Sequence, residues 1–279
     1  MASTTWVGGA SGSETDWATG ANWSTGSIPT TSAHVVIPNT THSCALDTTR
    51  TIGSLTIQAG GTIIGGGNKL FIQSEGDASG GTEHFALKND GIISGNLDID
   101  FTFAGETAAD FTGSSGNFQN VKVNASGADV NQIGAATFDG TLTIVANATY
   151  DAGNDGLTVT GDVSCSGTFL GNSTTTISHG SLTIASGGTY SATSGTTTIT
   201  GEASSNYAIE VSGTFTHNSG TLKITTDNNT FVKILDDVNH LIIEAATATR
   251  VYEWVSNTTI QGDLTINAGR LAHNSPLFS

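Results

Sequence analysis

Asp98 and Asp100 stand two positions apart, so an extended strand presents both carboxylates on one face. Asp236 and Asp237 form a second, adjacent acidic pair. Glycosidic hydrolysis needs two carboxylates at a set separation, and a polysaccharide lyase also needs a Lys or Arg to move a proton or hold an acidic substrate. The basic side chains are Lys69, Lys88, Lys122, Lys223, Lys233, Arg50, Arg250 and Arg270, and no cluster of them adjoins either pair in sequence. Most of these basic side chains therefore read as solvated surface charge, and no catalytic residue is assigned. The histidines are His34, His42, His84, His179, His217, His240 and His273; no two share the i, i+4 spacing of a helical zinc site, and there is no Cys-x-x-Cys. His179 and His217 precede repeated phrases and read as turn residues. Asp151-Ala-Gly-Asn154-Asp155-Gly156 lacks the ligand pattern and closing Glu of a calcium loop and reads as turn chemistry. Gly65-Gly-Gly67 has no following Lys-Ser/Thr, so it is no phosphate loop. No metal or cofactor is expected, and Cys44 and Cys165 read as two free thiols.

The composition says what must hold these residues. The 279 residues include 36 Gly, 46 Thr and 3 Pro, and only 11 % are charged. Strand formers dominate over helix formers, which predicts an all-β chain. A formal charge of -16 repels phosphate backbones and argues against a nucleic-acid partner. No apolar run approaches the roughly 18 residues of a membrane-spanning helix, and no membrane partner is expected. Met1-Ala2-Ser3-Thr4-Thr5-Trp6 has neither a basic nor an apolar leader region, so no signal peptide is read there.

Internal repetition is the strongest signal. The phrase Gly-x-Leu-x-Ile recurs around Leu55, Leu97, Leu142, Leu182, Leu222 and Leu264, with one apolar face in each copy. A finer repeat aligns Ser166-Gly167-Thr168-Phe169, Gly187-Gly188-Thr189-Tyr190 and Ser212-Gly213-Thr214-Phe215. Each is followed by a Thr-rich segment ending at Ile177, Ile199 or Ile224. Two coils per 40-odd residues predict a parallel β-solenoid (β-helix), with a β-sandwich or propeller as the alternative. The expected plan is a cap or docking segment over 1–50, solenoid repeats over 51–269, and a C-terminal tail over 270–279 that departs from the pattern. Phe103 to Phe118 and Asp227 to Asp237 are expected to be corner insertions, with one helical turn over Phe103 to Phe111.

Within the cap, Trp6, Trp17, Asn22, Trp23, Gly26 and Pro29 are the structural candidates, and the tryptophans read as closing a core end rather than as a sugar platform. Trp254, Tyr252 and Phe278 are the interface candidates. The phrase Trp6-Val-Gly8-Gly9, then Trp17, then Asn22-Trp23-Ser24-Thr-Gly26-Ser-Ile28-Pro29, then Val35-Val36-Ile37 resembles the opening of β-helical repeat proteins of bacterial surfaces and tailed-phage virions. His34 departs from that pattern, which often has an acidic residue before the strand. The resemblance implies either an adhesin or a virion part. The missing leader favours a non-enzymatic component of the virion surface, assembled in the host cytoplasm: a capsid-decorating or head-fibre protein, or a short tail appendage. Its expected partners are other virion proteins and further copies of itself, a trimer being the expected assembly, with a host-surface glycan as a further candidate. A bacterial surface adhesin or glycan-binding module is the alternative reading, and a polysaccharide-cleaving enzyme the third.

Overall fold

The computed structural model describes residues 2–74, 85–112, 117–171 and 175–273, and in them the chain is a parallel β-solenoid. The one helical element among the described residues is a 3-10 turn at Gly20–Asn22. The ladders are parallel; Trp6 and Trp23 make an isolated antiparallel bridge. Sandwiches are built from antiparallel sheets and propeller blades from up-and-down strands, so the alternative architectures fall away. The chain divides into two compact units, residues 1–139 and 140–279.

The first unit coils around three sides. One side stacks Ser3–Thr5, His34–Ile37, Ser54–Ile57, Phe85–Asn89, Gly105–Asp110 and Ala128–Ile133. The second stacks Arg50–Ile52, Asn68–Ile72, Asn96–Phe101, Asn117–Val123 and Ala136–Phe138. The third holds Cys44–Ala45, Thr62–Ile64 and Ile92–Ser94. Alternate residues point inward, so stacking builds apolar rows along the core. Val35, Leu55 and Leu87 form one row, Leu70, Ile99 and Val121 another, and Cys44, Ile63 and Ile93 a third; all are buried.

The second unit repeats the plan. Its first side stacks Thr149–Asp151, Thr168–Leu170, Thr189–Ser191 and Thr214–Thr216. Its second runs Leu157–Val159, Ile177–His179, Thr196–Ile199, Thr221–Ile224, His240–Glu244 and Leu264–Ala268. Its third runs Leu142–Ile144, Val163–Cys165, Leu182–Ile184, Tyr207–Val211, Thr230–Lys233, Val251–Trp254 and Arg270–His273. The first side reads as the finer repeat predicts: Thr168, Thr189 and Thr214 pair residue for residue, as do Phe169, Tyr190 and Phe215. The threonines face outward, and the rings of Tyr150, Phe169, Tyr190 and Phe215 stack inside within 11° of parallel.

Gly167, Gly188 and Gly213 open the strands of this side. A Cβ on them would lie 2.2, 2.4 and 2.2 Å from carbonyl oxygens of the preceding coil, at Ala148, Cys165 and Gly188. The obstacle is backbone held in a ladder, so it cannot yield cheaply. Gly188→Ala is expected to destabilise the chain by about 1–3 kcal/mol in denaturant unfolding, the usual cost of overpacking. An unchanged midpoint would mean that the coils are spaced more loosely at this corner.

Several expectations are corrected. Phe103 to Phe111 contains no helical turn: Gly105–Asp110 is a strand whose inward positions are Thr107 and Ala109, too small and polar to signal alternation. Asp227 to Asp237 is not wholly an insertion, because Thr230–Lys233 is a strand of the third side. The pattern also continues past residue 269, as Arg270–His273 pairs with Val251–Trp254. Residues 274–279, Phe278 among them, lie outside the described residues.

Candidate functional site

In the cap, Trp6, Trp17 and Trp23 are at most 2 % exposed and pack edge to face, with centroids 5.0 Å apart for Trp6–Trp23 and 4.7 Å for Trp17–Trp23. Two of the indole N–H groups are tied to backbone: Trp6 Nε1 donates to the His42 carbonyl and Trp23 Nε1 to that of Trp17. Buried Asn22 ties the loop around them, accepting from Ala10 N–H and donating to the Ser13 and Asp16 carbonyls. Gly26, with φ of +70°, turns the chain at the surface, and Pro29 is half-buried beyond it. No cap tryptophan offers a face to a sugar. His34, the departure from the resembling pattern, places Nδ1 2.7 Å from Ser54 Oγ of the next coil.

The acidic pairs are engaged within the fold. Asp98 Oδ1 accepts from the Asn120 backbone and side chain. Asp100 is 2 % exposed, with Asn124 Nδ2 at 3.4 Å and Lys69 Nζ at 3.7 Å. Burial pushes its carboxyl up, against the pull of Lys69 and Lys122. Sequence reasoning found no basic group here because the lysines sit one coil away on either side; parallel register sets Lys69 against Asp98 and Lys122 against Asp100. Asp100 is thus screened from solvent, while Asp98 is half-buried. Asp236 accepts the Phe215 N–H, while exposed Asp237 accepts from Gln261 and is held below its ordinary range by that hydrogen bond. Asp151 caps the Gly153 N–H, as a turn residue does.

His179 corrects its expected place. It lies inside the second unit, fully buried, in an inward row with Val159 and Ile199. Its Nε2 is 2.6 Å from Tyr190 Oη, its ring meets Phe169 and Tyr190 edge to face, and its buried Nδ1 has no partner among the described residues. Burial pushes the imidazole down to about 3, so it is neutral at ordinary pH. Sequence alignment of Ile177 with Ile199 missed this; the true partner of Ile199 is His179. His217 is a turn residue as expected, its Nδ1 accepting from Ser219 N–H. Both thiols are free and buried, and burial raises both, Cys165 to about 11.

The last described coil of the second unit is different. Leu264 and Ile266 occupy inward positions in register with Leu241 and Ile243, which are fully buried, yet they are 46 % and 44 % exposed. Leu264–Ala268 and Arg270–His273 are the outermost strands of their sides among the described residues. Beside them opens a pocket of about 340 Å³, lined by Trp254, Thr258, Ile260, Leu271 and His273 among others. Of the interface candidates, Trp254 lines this pocket while only 6 % exposed, its Nε1 donating to Thr258 Oγ1. Tyr252 is fully buried with its hydroxyl donating to the Thr226 carbonyl, so it serves its own core and presents nothing to a partner.

No known protein family, curated protein or solved structure matches the chain. The candidate site accordingly rests on the coil itself: apolar core positions and strand edges ready to continue a stack.

Proposed function

We propose that the chain is a non-enzymatic structural component of a tailed-phage virion, a capsid-decorating or head-fibre protein or a short tail appendage, attached through the coil at residues 255–273. The observation that carries this reading is the exposure of Leu264 and Ile266 at positions that the preceding coils of that side bury. Exposed apolar side chains beside strand edges that are unpaired among the described residues are features that bind another protein. The acidic pairs support the non-enzymatic part, since their carboxylates serve internal hydrogen bonds and backbone caps. The buried cap tryptophans weigh against a glycan-binding module. The cap phrase, with its likeness to the opening of β-helical virion proteins, supports the placement in a particle.

The test is mass spectrometry of purified particles produced from the genome that encodes this chain. The expected outcome is stoichiometric presence in mature particles. A chain found solely on the host-cell surface, or one binding glycans through its tryptophans, would sink the reading.

A further inference from the structure

We propose that Lys69 and Asp100 join in an intramolecular amide bond, a covalent staple between neighbouring coils of the first unit. The Lys69 amine is the nucleophile and the side-chain carboxyl of Asp100 the electrophile.

Parallel register brings the two groups together. Asn68–Ile72 and Asn96–Phe101 are adjacent strands of the second side, with Lys69 opposite Asp98 and Phe71 opposite Asp100. Lys69 and Asp100 are therefore diagonal neighbours on the outward face. Such neighbours lie roughly 7–8 Å apart, within reach of a long side chain. Lys69 Nζ is 3.7 Å from Asp100 Oδ2, and the Phe71 ring stands 5.6 Å from the same nitrogen. From the following coil, Asn124 Nδ2 donates to that Oδ2 at 3.4 Å.

An ion pair alone serves this acid poorly. Asp100 is buried, and its Oδ1 has no hydrogen-bond partner among the described residues. A buried charge with an unmet oxygen is unfavourable. Burial pushes the carboxyl up, toward the neutral acid that an amine can attack, although Lys69 and Lys122 pull the other way. Condensation removes both burdens, since the unmet oxygen departs and the charge vanishes with it.

The atoms balance without an oxidant or a cofactor. The Lys69 ammonium gives a proton to the carboxylate, which leaves an amine beside a carboxylic acid. Nζ adds to Cγ, and negative charge develops on Oδ2, where the Asn124 donor stabilises it. A second proton passes from Nζ to the Oδ1 hydroxyl, which leaves as water. One Nζ–Cγ bond forms and one Cγ–Oδ1 bond breaks. The amide closes a loop between residues 69 and 100, restricting the unfolded chain as a disulfide does. The reaction runs once within the chain and turns over no substrate.

Mass spectrometry of the purified full chain, unfolded in acid, tests this. The expected mass is that of the sequence less one water, about 18 Da. A tryptic digest is expected to yield one branched peptide carrying Lys69 joined to Asp100. Lys69→Arg keeps a positive charge beside Asp100 but offers no amine. It is expected to restore the full mass and leave the circular dichroism unchanged. Full mass in the unaltered chain, with Lys69 recovered in an unlinked peptide, would overturn the proposal and leave an ion pair. A water loss that maps elsewhere, or that persists in Lys69→Arg, would overturn it too. The bond belongs to the folded chain alone, so neither result bears on where the protein is found.

Discussion

Phe169→Ala is expected to lower the stability of the chain by about 3–5 kcal/mol, the range for deleting a fully buried aromatic ring. Phe169 is fully buried in the stacked row, 4.5 Å from Tyr190 and 6.1 Å from Tyr150, with the edge of His179 5.9 Å away. Ring contacts of this kind contribute beyond the area they bury. The cost lies at the upper end because the cavity cannot close. The neighbouring rings are anchored to strands paired residue for residue across Phe169, so their spacing is set by backbone hydrogen bonds. Equilibrium unfolding in urea measures the loss. Thr168→Ala, one residue away on the outward face, is expected to change stability by no more than about 0.5 kcal/mol. Similar effects from both substitutions would mean that the strand has been assigned the wrong face.

The second large effect is acid sensitivity centred on His179. Its folded value of about 3 lies far below the ordinary histidine value of 6.5. Above pH 6.5 the ring is neutral in both folded and unfolded chains, and its contribution is fully present. Below 6.5 the unfolded chain takes up a proton that the folded chain refuses, so stability falls as pH falls. The slope approaches about 1.4 kcal/mol per pH unit and levels off near pH 3, where the folded ring also protonates. Tyr190 and Cys165, the other titratable groups packed there, are pushed up by burial and stay neutral throughout this window. His179→Ile places the residue type of Ile199 at this level of the row. It is expected to remove this component of the slope between pH 6.5 and 3. Urea midpoints of both chains measured across that window decide the matter, since the carboxylates titrate alike in each and cancel in the difference. Parallel pH profiles would show that His179 is exposed or already paired to a charge.

The fold was legible where one kind of side chain occupied one level of the stack. The Thr-Phe, Thr-Tyr and Thr-Phe phrases fell into register because outward threonine and inward aromatic recur on a single side. The Gly-x-Leu-x-Ile phrase was less informative than its regularity suggests. Leu55 and Leu97 lie on different sides of the first unit, Leu142 and Leu182 on the third side of the second unit, and Leu222 and Leu264 on its second. Inward alternation is the same requirement on every side of a coil, so the phrase reports a strand and not its place. Strands with small or polar inward residues, such as Thr107 and Ala109, gave no alternation to read. Cross-coil neighbours such as Lys69 and Asp98 depend on coil length, which varies too much for sequence spacing to pair them. The open coil was invisible for a simpler reason: Leu264 and Ile266 match a buried phrase, and their exposure arises because no further described coil is stacked on them.

Charge scarcity acquires a physical explanation from this arrangement. Outward rows of threonine keep a strand surface wet without ions, and carboxylates such as Asp98, Asp236 and Asp151 bridge coils or cap corners. Among the exposed large apolar side chains, Leu264 and Ile266 share one strand, in register with buried positions of the coil before.

The most direct test is a cryo-electron microscopy map of the particle that carries the chain. The expected density is a three-sided stack of parallel coils with Leu264, Ile266 and the pocket beside Trp254 covered by a neighbouring protein. A chain held to the particle elsewhere, with residues 255–273 facing solvent, would contradict attachment through the open coil.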